Sequence, residues 1–150
     1  STQGYSSAAS DVYKRQAECK MLLNRSGKNP LNSVNCIVSK NEFLEMQSEV
    51  QNVFVSDDMA RYIVSLISAT RRHPLLSRGA SPRATLSLTD MAKAVAFAEG
   101  RDYIVPRDVQ NIFICTVNHR IILNAKASAS KKNSEEILQE ILRKTPKPRT

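Results

Sequence analysis

The stretch Gly79-Ala80-Ser81-Pro82-Arg83 decides how the chain is organised, because it has the features of a helix start between two apolar helical patterns. Ser81 suits the N-cap position, where its hydroxyl can accept a hydrogen bond from a backbone N–H of the first turn. Pro82 falls on the first helical position, where its missing N–H costs nothing. Gly79 gives the backbone freedom to enter the turn. The pattern predicts a helix that begins at Pro82.

Arg83 is expected to project from the first turn of that helix. A cation there lies beside the positive end of the helix dipole, which is an unfavourable position. An anion bound at this helix end would remove the conflict, because the exposed N–H groups, the dipole and the guanidinium would all face it. The alternative is a solvated arginine that pairs with a surface carboxylate. The residues alone leave both interpretations open.

Helix-start signals recur along the chain and predict an all-α bundle of four to five helices. The predicted starts are Ser39 (with Glu42 in capping-box spacing), Ser56, Pro82 and Pro106. We expect these helices to share one core, and Gly100 to follow the Pro82 helix as its C′ residue. The predicted core positions are Phe43, Met46, Val50, Met59, Ile63, Leu66, Ile67, Thr70, Leu86, Leu88, Met91, Ala92, Ala94, Val95, Ala98, Val109, Ile112, Phe113 and Val117.

Composition shifts divide the chain further. Residues 1–16 are polar and read as a flexible leader, left over from cloning or from an upstream domain. Residues 17–38 contain a short helix, a loop and an extended linker, and residues 39–127 form the predicted bundle. Residues 128–150 are expected to be a tether, a terminal helix capped by Ser134, and a basic tail.

The net charge of +8 permits nucleic acid, nucleotide or acidic protein partners without selecting among them. No apolar run approaches the roughly 20 residues of a membrane span, and no signal peptide is recognisable. Cys19, Cys36 and Cys115 are odd in number and widely spaced, so they predict no disulfide framework. Free thiols without a signal peptide favour a cytoplasmic location.

No complete active site is recognisable in the sequence. The Gly-Lys pair at 27–28 fails as a phosphate-binding P-loop, because Leu22 replaces the first glycine and Asn29 replaces the final Ser or Thr. His73 and His119 have no metal-ligand partners in sequence, so both are interpreted as helix-end residues and no metal site is predicted.

Arg71 and Arg72 fall at the end of the Ser56 helix, where cations suit the negative end of the dipole. That structural interpretation is favoured for Arg72. Arg71 lies near Arg83 in sequence and could join it in a cationic cluster.

Four segments together resemble the C-terminal lid of MoxR-type AAA+ ATPases. They are residues 69–74 (ATRRHP), 79–84 (GASPRA), 100–109 (GRDYIVPRDV) and 119–121 (HRI), in this order and spacing. The resemblance extends from Ala17 to the C-terminus, with Asn29-Pro30-Leu31 resembling the entry to the lid. It implies that residues 17–38 are the end of the AAA+ core and a linker.

The resemblance implies that the lid closes over ATP held by a core, with Arg83 as the catalytic, nucleotide-sensing arginine called sensor 2. Arg71, as the possible second member of a cationic cluster, is a further candidate nucleotide-binding residue. The resemblance implies ATP and Mg²⁺ in the full-length protein, and no cofactor for residues 1–150 alone. The partners implied are the protein's own core, neighbouring subunits of a homo-oligomer that is often a hexamer, and proteins with a von Willebrand factor A domain. Walker motifs, sensor 1 and the arginine finger are absent from this sequence, so the fragment alone is not expected to hydrolyse ATP.

Two other classes of function remain as alternatives: a free-standing basic DNA-binding domain and a protein-interaction adaptor that uses the C-terminal helix. A recognition helix needs exposed polar and basic residues. After Arg83 the Pro82 helix is mostly Ala, Leu and Met, which makes nucleic acid an unexpected partner.

Overall fold

The structure is a computed structural model that describes residues 14–23 and 33–148. It divides into two units, Ser1–Ser39 and Lys40–Thr150. The described part of the first unit contains helix α1 over residues 14–23, which confirms the short helix expected there. Residues 1–13 of the predicted leader, the Gly-Lys pair and the predicted entry to the lid lie outside the described residues. Residues 14–16, also predicted as leader, belong to α1.

The second unit is mainly helical, which confirms the predicted fold class. Its elements are α2 Lys40–Asn52, α3 Asp57–Arg71, β1 Leu76–Arg78, α4 Pro82–Ala98, α5 Pro106–Val117, a 3₁₀ turn Asn118–Arg120, β2 Ile122–Leu123, α6 Ala125–Ala129 and α7 Ser134–Lys144. The antiparallel ribbon of β1 and β2 was not predicted; it pairs Leu76 with Leu123 and Arg78 with Ile122. Such short strands carry too few residues to display an alternating pattern. In the part of the chain that the structure describes, no helix has the length and apolar character to cross a membrane.

Helix α3 follows its sequence prediction closely. The Met59 N–H donates to the Ser56 hydroxyl across 3.3 Å, and Asp57 and Asp58 occupy the first turn, where acidic side chains suit the dipole. Every core position predicted on this helix is buried, and so is Tyr62. Its apolar stripe therefore faces the centre of the bundle.

Helix α4 begins at Pro82, as predicted, and Ser81 has the extended backbone of an N-cap residue. The predicted cap by the Ser81 hydroxyl is wrong, because that side chain makes no capping hydrogen bond. The Ala84 N–H donates to the Ser81 carbonyl oxygen across 2.9 Å instead. A tight first turn thus uses a backbone acceptor where the hydroxyl was expected.

The buried side of α4 is narrower than predicted. Every fourth residue is fully buried: Ala84, Leu88, Ala92 and Ala96. Leu86 and Met91, both predicted for the core, are 67% and 48% exposed. Because three of the four buried side chains are alanines, α5 can lie close against α4, and this helix pair makes the most extensive contact in the unit.

Helix α2 does not share the core, contrary to the prediction. It has no buried residue, and Phe43 is 54% exposed, because α2 lies against α4 from outside. The terminal helix α7 contributes to the core instead, through Ile137, Leu138 and Ile141. The core thus consists of residues from α3, α4, α5 and α7, together with a few loop residues and Ala127 of α6.

The stretch predicted as a tether overlaps the end of helix α6, Ala125–Ala129, and the turn that follows it. Asn124 accepts a hydrogen bond from the Ala127 N–H across 3.1 Å and donates to the Pro74 carbonyl oxygen across 2.8 Å. Ala127 is fully buried. The cap of α7 is also different from the prediction: Asn133 and Glu136 form a reciprocal capping box, and Ser134 is the first helical residue.

The two glycines beside α4 do different work. Gly100 has a φ of +73°, and the N–H groups of Gly100 and Arg101 donate to the carbonyl oxygens of Phe97 and Ala96, which confirms the predicted C′ role. Gly79 does not have a positive φ, so conformational freedom is not its role. A Cβ atom at Gly79 would lie 2.5 Å from the Cα and N atoms of Arg71, so Gly79 permits a close approach of two backbones.

We expect Gly79→Ala to reduce the free energy of unfolding by about 1–3 kcal/mol, because the added methyl group meets backbone atoms that can move away only with the whole helix end. Gly100→Ala meets no atom and should cost about 1–2 kcal/mol through its left-handed backbone alone. Urea unfolding of the two variants beside the unchanged chain measures both effects. Unchanged stability of the Gly79→Ala variant would refute the close-approach explanation.

Candidate functional site

The start of α4 is held against the end of α3 by one buried side chain, Thr70. Its hydroxyl donates to the Ile67 carbonyl oxygen across 2.6 Å and accepts from the Ala80 N–H across 2.9 Å. Thr70 and Ala80 are both fully buried. With the close approach of Gly79 to the Arg71 backbone, this bond fixes the path of the chain into α4.

Arg83 is the second residue of α4 and is exposed. The first turn of α4 contains no acidic residue. Within the described ranges, no hydrogen bond or ion pair engages Arg83, so the surface carboxylate of the alternative interpretation is not found there. The structure therefore leaves an uncompensated guanidinium at the positive end of a helix dipole.

Arg71 and Arg72 end α3 on the other side of this junction. Arg71 is exposed, donates to the Ser68 hydroxyl across 3.1 Å, and contacts Gly79 through its backbone. Arg72 is the C-cap residue, and its N–H donates to the Ala69 carbonyl oxygen. Arg71 thus ends α3 beside Gly79, and Arg83 follows in the first turn of α4, while Arg72 has the helix-end position expected from its sequence.

Arg83 lies in a stretch of the sequence that is rich in cations and contains no acid. Residues 59–89 and 109–134 contain no Asp or Glu, and the pairing of β1 with β2 joins these two stretches. The first carries Arg61, Arg71, Arg72, Arg78 and Arg83, and the second carries Arg120, Lys126, Lys131 and Lys132. Arg61 and Lys132 pair with carboxylates of neighbouring segments, so the other cations of these stretches are the ones that favour an anionic ligand.

Arg101, in contrast to Arg83, is bound by carboxylates. Its guanidinium donates to both carboxylate oxygens of Asp108, across 2.7 and 2.8 Å, and to Glu99 across 2.7 Å. The Asp108 side chain is 1% exposed and also accepts from the Val105 N–H. These carboxylate bonds raise the pKa of Arg101 above its ordinary value. The pair fixes the turn between α4 and α5.

Asp108→Ala should cost about 3–5 kcal/mol of unfolding free energy, because it leaves the Arg101 guanidinium without its buried carboxylate. Glu99→Gln, at an exposed partner of the same arginine, should cost about 1 kcal/mol or less. Chemical denaturation of both variants tests this difference. Equal losses would contradict the assignment of the turn to the Arg101–Asp108 pair.

The two histidines have local roles. His73 Nδ1 accepts a hydrogen bond from the Leu75 N–H across 3.3 Å, and burial lowers the pKa of His73 against the opposing effect of Glu140. His119 Nε2 accepts from the Arg120 guanidinium in the 3₁₀ turn. In residues 14–23 and 33–148, no cluster of His, Cys, Asp or Glu has the arrangement of a metal site.

We expect Glu140 to make the stability of the fold depend on pH. Hydrogen bonds from Lys132 and Lys144, each across 2.7 Å, lower its pKa to about 2. In the unfolded chain a glutamate has a pKa of about 4.3. The bonded carboxylate of Glu140 therefore stabilises the fold above that pH, and this stability is lost as the pH falls towards 2. We expect Glu140→Gln to lower the Tm at pH 7, with the difference from wild type vanishing near pH 2.

Thermal melts from pH 2 to pH 7 test the Glu140 prediction. Glu135→Gln is the control, because Glu135 lies on the same helix and has no lysine partner within the described residues. A difference in Tm between Glu140→Gln and wild type that did not change with pH would exclude the titration of Glu140 as its cause.

Comparison with known proteins agrees with this architecture. Residues 68–141 match the AAA lid domain family. The chain is 29% identical over 145 residues to the "Chaperone MoxR1" of Mycobacterium tuberculosis, covering 91% of this chain and 38% of that protein. The chain contains an AAA lid domain of the MoxR type. This lid carries the Thr70–Ala80 bond, Arg83 and the Arg101–Asp108 pair within the matched range.

Two further relatives extend the comparison. The chain is 34% identical over 125 residues to the "Uncharacterized protein YeaC" of Bacillus subtilis, covering 83% of this chain and 39% of that protein. A crystal structure of a "putative ATPase" from Cytophaga hutchinsonii superposes with a TM-score of 0.77 at 35% identity, covering 89% of this chain and 43% of that one. The chain thus spans about two fifths of the length of these curated relatives.

Proposed function

We propose that this lid closes over ATP bound by an AAA+ core that lies outside the present sequence, and that Arg83 acts as the sensor 2 arginine on the terminal phosphate. The observation that carries the proposal is the state of Arg83: exposed, at the positive end of α4, and without a carboxylate partner in the described residues. The acid-free stretch of sequence that contains Arg83, residues 59–89, supplies further support, because it favours an anion at this position.

The chemistry follows from the guanidinium. Arg83 donates charge-assisted hydrogen bonds to phosphate oxygens, and its planar fork can engage two of them. Charge that develops on the transferred phosphoryl group is offset by such a cation at a fixed position. Arg71, at the neighbouring helix end, adds a second positive charge near the phosphates. Bound ATP supplies the phosphoryl group, and Mg²⁺ neutralises part of its charge.

The metal ligands are proposed to come from the core. The described residues offer the phosphates a cation but contain no carboxylate or histidine cluster suited to Mg²⁺. The lid's part in this proposal is therefore to bind and orient phosphate, and no step requires a metal ligand from α3 or α4.

The same proposal covers the whole protein: a chaperone-like remodelling ATPase that works as a homo-oligomer, a hexamer, with partners that carry a von Willebrand factor A domain. Its support is the MoxR-type lid and the chaperone name of the Mycobacterium relative. A cytoplasmic location is part of the proposal, supported by Cys19, Cys36 and Cys115, which are free and exposed. A Walker A motif in the reading frame upstream of this sequence would provide the expected core.

In the full-length protein, we expect Arg83→Ala to lower ATP turnover by about a hundred- to a thousand-fold, the cost of removing one preorganised donor to a developing charge. The lid should remain folded, because Arg83 is exposed and such surface changes shift stability by about 0.5 kcal/mol or less. Arg83→Lys should recover activity only in part, since it keeps the charge and loses the fork.

Steady-state ATPase assays beside thermal melts test the Arg83 prediction. Arg72→Ala is the matched control, because Arg72 is an exposed arginine of the same junction that caps α3 through its backbone. Normal turnover by Arg83→Ala with a strongly lowered Tm would identify Arg83 as a structural residue and would refute the sensor assignment.

A further inference from the structure

Thr70 is an unusual residue for its position in the core. It is fully buried in a stripe of Met, Ile and Leu side chains on α3, and burial of a hydroxyl costs free energy unless its hydrogen bonds are made. Valine would fill nearly the same volume without that requirement. Apolar packing alone therefore does not account for a threonine here.

The hydroxyl of Thr70 both donates and accepts a hydrogen bond. It donates to Ile67 within α3 and accepts from the Ala80 N–H, which belongs to the segment that leads into α4. Among the described residues, this is the hydrogen bond that ties residues 79–82 to α3. Ala80 is fully buried, so its N–H cannot turn to water if the acceptor is removed.

Arg83 follows this bond by only three residues. Pro82 has a fixed φ, and Ala84 is fully buried against the core, so little freedom remains between Ala80 and the first turn of α4. A change in the path at Ala80 is therefore passed on to the position of the Arg83 Cα. Misplacement of a catalytic group by about 1 Å can cost about a hundred-fold in rate.

We infer that the Thr70 hydroxyl is a positioning group for Arg83, holding the start of α4 where the guanidinium meets the terminal phosphate. This inference rests on the proposed function. Thr70 touches no phosphate itself and acts through the Ala80 N–H, so its effect on catalysis depends on the presence of Arg83.

The test is a double-mutant cycle in the full-length ATPase. Thr70→Val should lower kcat for ATP about ten- to a hundred-fold with little change in KM, because the lost interaction serves the transition state. In the Arg83→Ala background the same substitution should lower kcat no further, because no guanidinium remains to be positioned. Thr70→Ser restores the hydroxyl and should recover most of the activity.

The matched control is Thr89→Val. The Thr89 hydroxyl donates to the Thr85 carbonyl oxygen within α4, as that of Thr70 does to Ile67 within α3, but among the described residues it makes no hydrogen bond to another element. Thr89→Val should leave kcat near wild type. If Thr70→Val melts below the assay temperature, Thr70→Cys takes its place, because a thiol keeps the volume but is a weak acceptor.

The outcomes separate the two hypotheses. Wild-type turnover by Arg83→Ala would overturn both the sensor assignment and the positioning role. A slow Arg83→Ala enzyme in which the Thr70 substitution still lowers kcat by its full factor would overturn the positioning role alone. Wild-type turnover by the Thr70 variant, or failure of Thr70→Ser to recover activity, would likewise overturn the positioning role alone.

Discussion

The hydrogen bond between the Thr70 hydroxyl and the Ala80 N–H, beside the close contact of Gly79 with the Arg71 backbone, fixes where α4 begins relative to α3. The buried residues of α4 recur at every fourth position and define the side of the helix that faces the core. The lid's candidate phosphate contact is part of the same geometry, since Arg83 stands in the first turn of that helix.

Two arginines of the lid differ in whether their guanidinium is bound by carboxylates. Arg101 gives its guanidinium to Asp108 and Glu99 and thereby closes the α4–α5 turn. Arg83 lies in an acid-free stretch and is left without a carboxylate among the described residues. A buried carboxylate needs a partner to offset the free energy of its desolvation, whereas an exposed guanidinium stays hydrated and needs no partner. The first arginine is therefore committed to the fold, and the second is available to a ligand.

The sequence predicted the helix starts well, since capping residues and proline act locally. Pro82 begins α4, Ser56 caps α3 and Gly100 ends α4 with a positive φ, as expected. The apolar pattern of α4 did not distinguish its buried apolar residues from its exposed ones. Leu86 and Met91 are exposed while alanines at 84, 92 and 96 are buried, because the tertiary arrangement and not the size of the side chain decides which side of α4 faces the core.

By itself, the sequence determined the helical class, the start of α4, the resemblance to a MoxR-type lid and the choice of Arg83 as a candidate site residue. Tertiary structure decided which helices form the core, since α7 enters it and α2 does not. It also decided the partners of Thr70 and Arg101, which bond to residues ten and seven positions away. Capping and helical period are properties of a few neighbouring residues, whereas these contacts exist only after separate elements have packed together.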